Sequence, residues 1–244
     1  MAIAGPIIFA LLGLVLAALI WVVSRSLASE ELPAPQPGCP YCPGSFPALA
    51  WLPLVGITAR CTNCRRTTGQ GRWVFELGMA ASFAIAAVRI ESALTLIEFA
   101  LFTIPLGFIL LIDFWTGTVF RNLVFLGILL GLGLAAVRGF DTLVESAQGM
   151  LAGFIIFGAG MLLFRKVLPA IQLAPLGGGD VLIAGMIGAM ARWPGTLFTF
   201  FAGVVLAVLG IAIVLFIQRT DRADAVPFGP FLCAAAIPIF ALTF

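Results

Sequence analysis

Two aspartates stand where apolar sequence gives way to polar sequence. Asp113 lies in Leu110-Leu111-Ile112-Asp113-Phe114-Trp115, and Asp180 follows three glycines in Gly177-Gly178-Gly179-Asp180-Val181-Leu182-Ile183. A carboxylate that close to lipid is costly unless it is paired, hydrated or protonated. Two such acids held together cannot both ionise cheaply, so one keeps a proton. The ionised member can then act as general base on a water, and the protonated member can polarise a carbonyl and later protonate a leaving amine. The chain has no histidine. That removes Ser–His and Cys–His nucleophiles, His-ligated catalytic metals and His proton shuttles. Acid–base work at a membrane would therefore fall to carboxylates. Glu76 and Glu98 also fall in or near apolar runs, Glu91, Asp141 and Glu145 are expected in outward loops, and Asp221 and Asp224 in a solvated loop.

Each acid also has a purely structural reading. Asp180 can serve as a helix N-cap, where a carboxylate favours the positive end of the dipole. Three preceding glycines are more than a cap needs, and they let another helix or an extended peptide approach closely. Asp113 ends an apolar span at its negative end, where a carboxylate is disfavoured. Thr116, Gly117 and Thr118 could form a polar turn that solvates it.

A second cluster is built from cysteine. Cys39-Pro40-Tyr41-Cys42 is followed, after 18 residues, by Cys61-Thr62-Asn63-Cys64. Two C-x-x-C pairs at this separation form a zinc signature. Four thiolates would fill a tetrahedral Zn²⁺ and leave no open position, so the ion would be structural. In so small a loop the metal would supply the folding energy. Two disulfides or idle thiols are the alternative, which a reducing cytosol disfavours. Cys233 lies in apolar sequence and is expected simply to pack.

The elements that must position these groups are membrane helices. The 244 residues are 62% hydrophobic and 10% charged, with mean hydropathy +1.17, against about 25% charged in a soluble domain. The net charge of +2 gives no reason to expect a nucleic-acid partner. Apolar runs at about 3–24, 73–90, 94–112, 119–137, 148–166, 180–193, 196–217 and 228–244 predict an all-α polytopic protein with about eight transmembrane helices. The runs are continuous rather than alternating, which argues against a barrel. Residues 1–24 have no basic residue ahead of their apolar run and no convincing cleavage site, so a retained first helix is expected. The expected domains are this helix, a cytosolic four-cysteine loop at 25–72 entered through the Pro-rich stretch 32–37, and a seven-helix catalytic domain at 73–244. With that loop inside, the inner loops hold Arg25, Arg60, Arg65, Arg66, Arg72, Arg121, Arg165, Lys166, Arg219 and Arg222, and the outer ones Arg89, Arg138 and Arg192. This positive-inside bias puts both aspartates at the cytosolic face.

From Cys39 onward the chain resembles the bacterial prepilin peptidases, or type IV leader peptidases, of the G-x-G-D intramembrane aspartic protease class. The motifs that carry the likeness are Gly177-Gly178-Gly179-Asp180, Ile112-Asp113, the paired C-x-x-C motifs with Ala50-Trp51-Leu52-Pro53-Leu54 between them, and Val226-Pro227-Phe228-Gly229-Pro230-Phe231. Leu182 stands where the family usually has lysine, Phe120-Arg121-Asn122 replaces a Pro-containing turn, and the segment before the first cysteine is poorly kept. The resemblance implies Asp113 and Asp180 as catalytic residues and Cys39, Cys42, Cys61 and Cys64 as ligands of a structural zinc. It implies a multi-pass protein of the bacterial inner membrane. The implied substrates are prepilins or pseudopilins with a short basic leader and an apolar helix. It further implies N-methylation of the new terminus with S-adenosylmethionine, although 25–72 shows no glycine-rich nucleotide fingerprint. A silent membrane scaffold whose zinc loop recruits a cytosolic partner is the alternative from another class. A proton-relaying transporter fits poorly with two acids at one face.

Overall fold

The computed structural model describes residues 4–28, 39, 42, 44–67, 71–167, 177–218 and 228–243. The Pro-rich stretch 32–37, Pro40, Tyr41, Arg219, Asp221, Arg222 and Asp224 lie outside the described residues. Among those described, the protein is all-helical: α1 (Ala4–Ala28), α2 (Gly71–Arg89), α3 (Ala93–Thr116), α4 (Arg121–Arg138), α5 (Phe140–Val167), α6 (Gly178–Ala191), α7 (Gly195–Gln218) and α8 (Gly229–Thr243). Two short 3-10 turns, Ala48–Trp51 and Val55–Thr58, lie in the cysteine loop. Each apolar run of the sequence has its helix. Two differences bear on the acids. Helix α5 begins at Phe140 rather than near 148, so Asp141 and Glu145 stand in its opening turns, and Asp141 meets the favourable end of the dipole. Helix α3 continues to Thr116, which leaves Asp113 one turn inside its end.

Helices α1 to α5 each contain a stretch long and apolar enough to cross a membrane. Helix α6 does not. Its 14 residues rise about 21 Å, less than the roughly 30 Å of a hydrocarbon core. In a bilayer at least one of its ends stops inside the apolar layer.

The chain forms two compact units, one up to Ala100 and one from Leu101 to Thr243, with the boundary inside α3. In the first, α1 packs on α2, and a Cβ at Gly13 would press on Met79, Ala80 and Phe83. The second is organised around α6, which touches α4, α5, α7 and α8. Every residue of α6 from Ile183 to Met190 is buried. Lipid tails supply no hydrophobic drive between helices, so close backbone approach and hydrogen bonds must hold them. Gly149 meets Gly188 and Gly153 meets Ala184 so closely that a Cβ on any of the three glycines would overlap backbone atoms. Ser146 Oγ donates to Ala189 O at 2.6 Å across the same seam.

Gly188→Ala should therefore destabilise the second unit by about 1–3 kcal/mol through overpacking, whereas Gly133→Ala, where a Cβ meets nothing within 4 Å, should be neutral or stabilising. Thermal unfolding of the detergent-solubilised pair checks this.

Candidate active site and metal centre

Asp180 sits in the first turn of α6, with Gly177 in the cap position rather than Asp180 itself. Its Oδ2 reaches back to accept the Gly177 N–H at 2.8 Å. The backbone N–H of Gly229, at the start of α8, also donates to this carboxyl. Two helix N-termini thus converge on one acid, which places it in positive partial charge.

Asp113 arrives from α3. It is 2% exposed, and its Oδ2 has no hydrogen-bond partner among the described residues. The threonines beyond it do not solvate it. Thr116 Oγ1 donates to Ile112 O at 2.8 Å and lies 2.6 Å from Thr118 Oγ1. The Gly117 N–H closes the helix on Asp113 O, with Gly117 at φ 62°.

Gly229 shows how near the two acids come. A Cβ there would collide with Asp113 Oδ2 and lie 3.3 Å from Asp180 Oδ1. Both oxygens face one point and are no farther apart than about 6 Å, the reach of a single water bonded to both. Gly229 is a residue to which sequence reasoning assigned no site role. Its signal was a glycine placed directly before Pro230 at a helix start. Cys233, one turn on, is fully buried and within electrostatic reach of both aspartates, so it packs, as expected, but beside the site.

The three glycines divide in role. A Cβ on Gly179 would meet Val119 Cγ2 at 2.6 Å, so only glycine lets α6 begin against that residue. A Cβ on Gly178 would meet nothing within 4 Å among the described residues.

Cys39, Cys42, Cys61 and Cys64 come together in the loop, with all four Sγ atoms within 4.8 Å of one another. The pairs 39–64 and 42–61 lie at 3.5 Å. A disulfide would bring sulfurs to about 2.05 Å, whereas tetrahedral Zn–S bonds of about 2.3 Å set them roughly 3.8 Å apart. The donor set fits a closed four-thiolate metal site. Burial pushes the Cys61 thiol up, but hydrogen bonds from the Cys64 and Asn63 backbone and from the Cys42 and Cys39 side chains outweigh it. The thiol falls to about 6 from an ordinary 9.0, toward the thiolate a metal takes. Phe46, Ala50 and Ala59 are the apolar remainder of this small core.

The model of the type IV leader peptidase family matches residues 100–215, the stretch that contains both aspartates. Three curated relatives carry the name prepilin leader peptidase/N-methyltransferase. The one from Bacillus subtilis (strain 168) is 25% identical over 207 residues, covering 84% of this chain and 80% of the relative. That from Stutzerimonas stutzeri is 26% identical over 215 residues, 85% and 72%. That from Pseudomonas putida is 25% identical over 191 residues, 78% and 64%. No solved structure matches the chain. The resemblance read from the sequence agrees with these matches: the chain is similar to the type IV leader peptidases, and five of its described helices are long and apolar enough to cross a membrane.

The two acids should differ in what they do for stability. Asp180→Ala strands two backbone N–H donors, that of buried Gly229 and that of half-buried Gly177, and should cost about 1–3 kcal/mol. Asp113→Ala removes a buried oxygen that has no partner among the described residues and should be neutral or stabilising. Thermal unfolding in detergent separates them, and equal losses would contradict the asymmetry.

Proposed function

We propose that this chain is an intramembrane aspartic endopeptidase. It removes the basic leader from type IV prepilins or pseudopilins at the cytosolic membrane face. The observation that carries this reading is the approach of the two carboxyls to one point beside Gly229. The relatives' names and the family match supply the reaction and the substrate class. The positive-inside bias supports the face.

In this mechanism Asp180 is the member suited to negative charge, because two backbone N–H groups and two helix N-termini address it. Asp113, with its unpartnered Oδ2 near the negative end of α3, is the member suited to hold the proton. Water bonded between them gives a proton to Asp180 as its oxygen attacks the scissile carbonyl. Asp113 donates its proton to the carbonyl oxygen. The tetrahedral species collapses as the C–N bond breaks, the amine takes the proton from Asp180, and Asp113 recovers its own. Gly178, exposed beside Asp180, is where an extended leader junction would pass. The substrate's apolar helix would lie among the spans and the lipid.

Zn²⁺ held by Cys39, Cys42, Cys61 and Cys64 is the metal that the four thiols suit best. It would order the loop and take no part in peptide cleavage. N-methylation of the new amine with S-adenosylmethionine is proposed as a second activity, on the relatives' names. No described cluster of residues marks a site for that donor.

Asp113→Asn and Asp180→Asn should each slow leader cleavage in reconstituted membranes about 100-fold or more, read by mass spectrometry of prepilin with and without S-adenosylmethionine. Wild-type cleavage by either variant would return the chain to the scaffold reading, in which the loop recruits a cytosolic partner. Gly229→Ala should lose most activity because its Cβ displaces Asp113, while Gly178→Ala should keep it. Metal analysis should find one zinc per chain, lost on Cys61→Ser.

A further inference from the structure

The cysteine loop presents more apolar side chain than a loop in water needs. Leu49, Leu52, Leu54 and Val55 are 45%, 49%, 41% and 50% exposed within seven residues. The backbone beneath them is held by the first two turns of α2. Arg72 Nη1 donates to Ala50 O at 2.8 Å and Nη2 to Leu52 O at 3.1 Å. Arg72 Nε donates to Glu76 Oε1 at 2.6 Å, and Glu76 Oε2 accepts the Leu54 N–H at 2.6 Å. Both charged side chains are 0% exposed. Gly56 closes over the guanidinium, where a Cβ would lie 2.6 Å from Nη1. Leu54 itself stands at φ 58° and ψ −49°, the centre of a γ-turn closed by the Val55 N–H on Pro53 O at 2.6 Å. That conformation is strained for a residue with a side chain, and it persists only where surroundings impose it.

A loop bathed in water needs no buried ion pair to satisfy three of its backbone groups. A loop at membrane depth does, because non-helical backbone survives there only when protein supplies its hydrogen bonds. Arg72 and Glu76 belong to the membrane-length helix Gly71–Arg89. The adjoining row of that helix, Trp73 and Leu77, is exposed and apolar, as is Val74. The loop's leucines are therefore tied to turns whose neighbouring face is exposed and apolar on a helix long enough to cross a membrane.

We propose that Leu49–Val55 is seated in the bilayer interface, with Leu52, Leu54 and Val55 against phospholipid acyl chains. The Arg72–Glu76 pair serves the backbone groups that water cannot reach. The cysteine loop would then be a membrane-resting module rather than a freely solvated one. An apolar segment of a prepilin is the competing occupant. The clamp favours lipid, because a surface covered only when substrate binds would be hydrated the rest of the time.

The test places a diazirine-bearing amino acid at Leu52, and separately at Leu54, in the full chain reconstituted into phosphatidylethanolamine–phosphatidylglycerol vesicles. Arg60, exposed in the same loop, is the control. Irradiation should give phospholipid adducts at 52 and 54 and water adducts at 60, with or without an added prepilin. If one substituted chain fails to insert, the other gives the same reading. Water adducts at all three positions, or cross-links to prepilin without lipid adducts, would overturn the proposal. The readout is lipid contact rather than cleavage, so it stands apart from the peptidase reading.

Discussion

Everything in the second unit follows from holding two carboxyl groups at one point in an apolar bundle. A carboxylate there is unfavourable unless donors or a proton meet it. The fold answers unequally. Asp180 receives N–H groups from its own cap and from the start of α8, while Asp113 Oδ2 is buried with no hydrogen-bond partner among the described residues. An arrangement made only for stability would not leave that oxygen so. In the proposed function, that oxygen is the one that meets a water shared with Asp180.

Small residues make that approach possible. Gly179 lets α6 start against Val119, and Gly229 lets α8 start against both carboxyls. Farther along, Gly149, Gly153 and Gly188 lock α5 to α6. Helix α6 is short, wholly buried beyond its first turns and surrounded by four others. Its position is set by packing on all sides, and the aspartate at its N-terminus inherits that precision. The cysteine loop solves a different problem. Its core holds few apolar side chains, so four clustered thiols are the centre of its order.

Much of this was legible in the sequence because the signals were local. Continuous apolar runs read as helices, and all eight are present among the described residues, five of them long and apolar enough to cross a membrane. The spacing of the C-x-x-C pairs foretold a cluster of four sulfurs. What was not legible depended on residues distant in the chain. Nothing local to Gly229 says that its missing Cβ faces Asp113 and Asp180. Nothing near Cys233 says that it lies beside them. The threonine turn after Asp113 looked able to solvate the acid, but its hydroxyls bond to Ile112 O and to each other. The N-terminus of α5 was placed late because its first turns, with Asp141 and Glu145, are polar enough to read as loop. The Arg72–Glu76 clamp was hidden because its acceptors and donor are backbone groups of residues 50–54, which carry no sequence signal.

The central claim is that one water, and later one tetrahedral centre, is shared by the acids of α3 and α6. The most direct measurement is an experimental structure of the full chain in lipid with a leader peptide whose scissile amide is replaced by a hydroxyl-bearing isostere. The account predicts that hydroxyl within hydrogen-bond distance of both Asp113 and Asp180, with Gly229 beneath it. A bound isostere that touches only one of the two acids, with packed side chains or lipid separating it from the other, would contradict it.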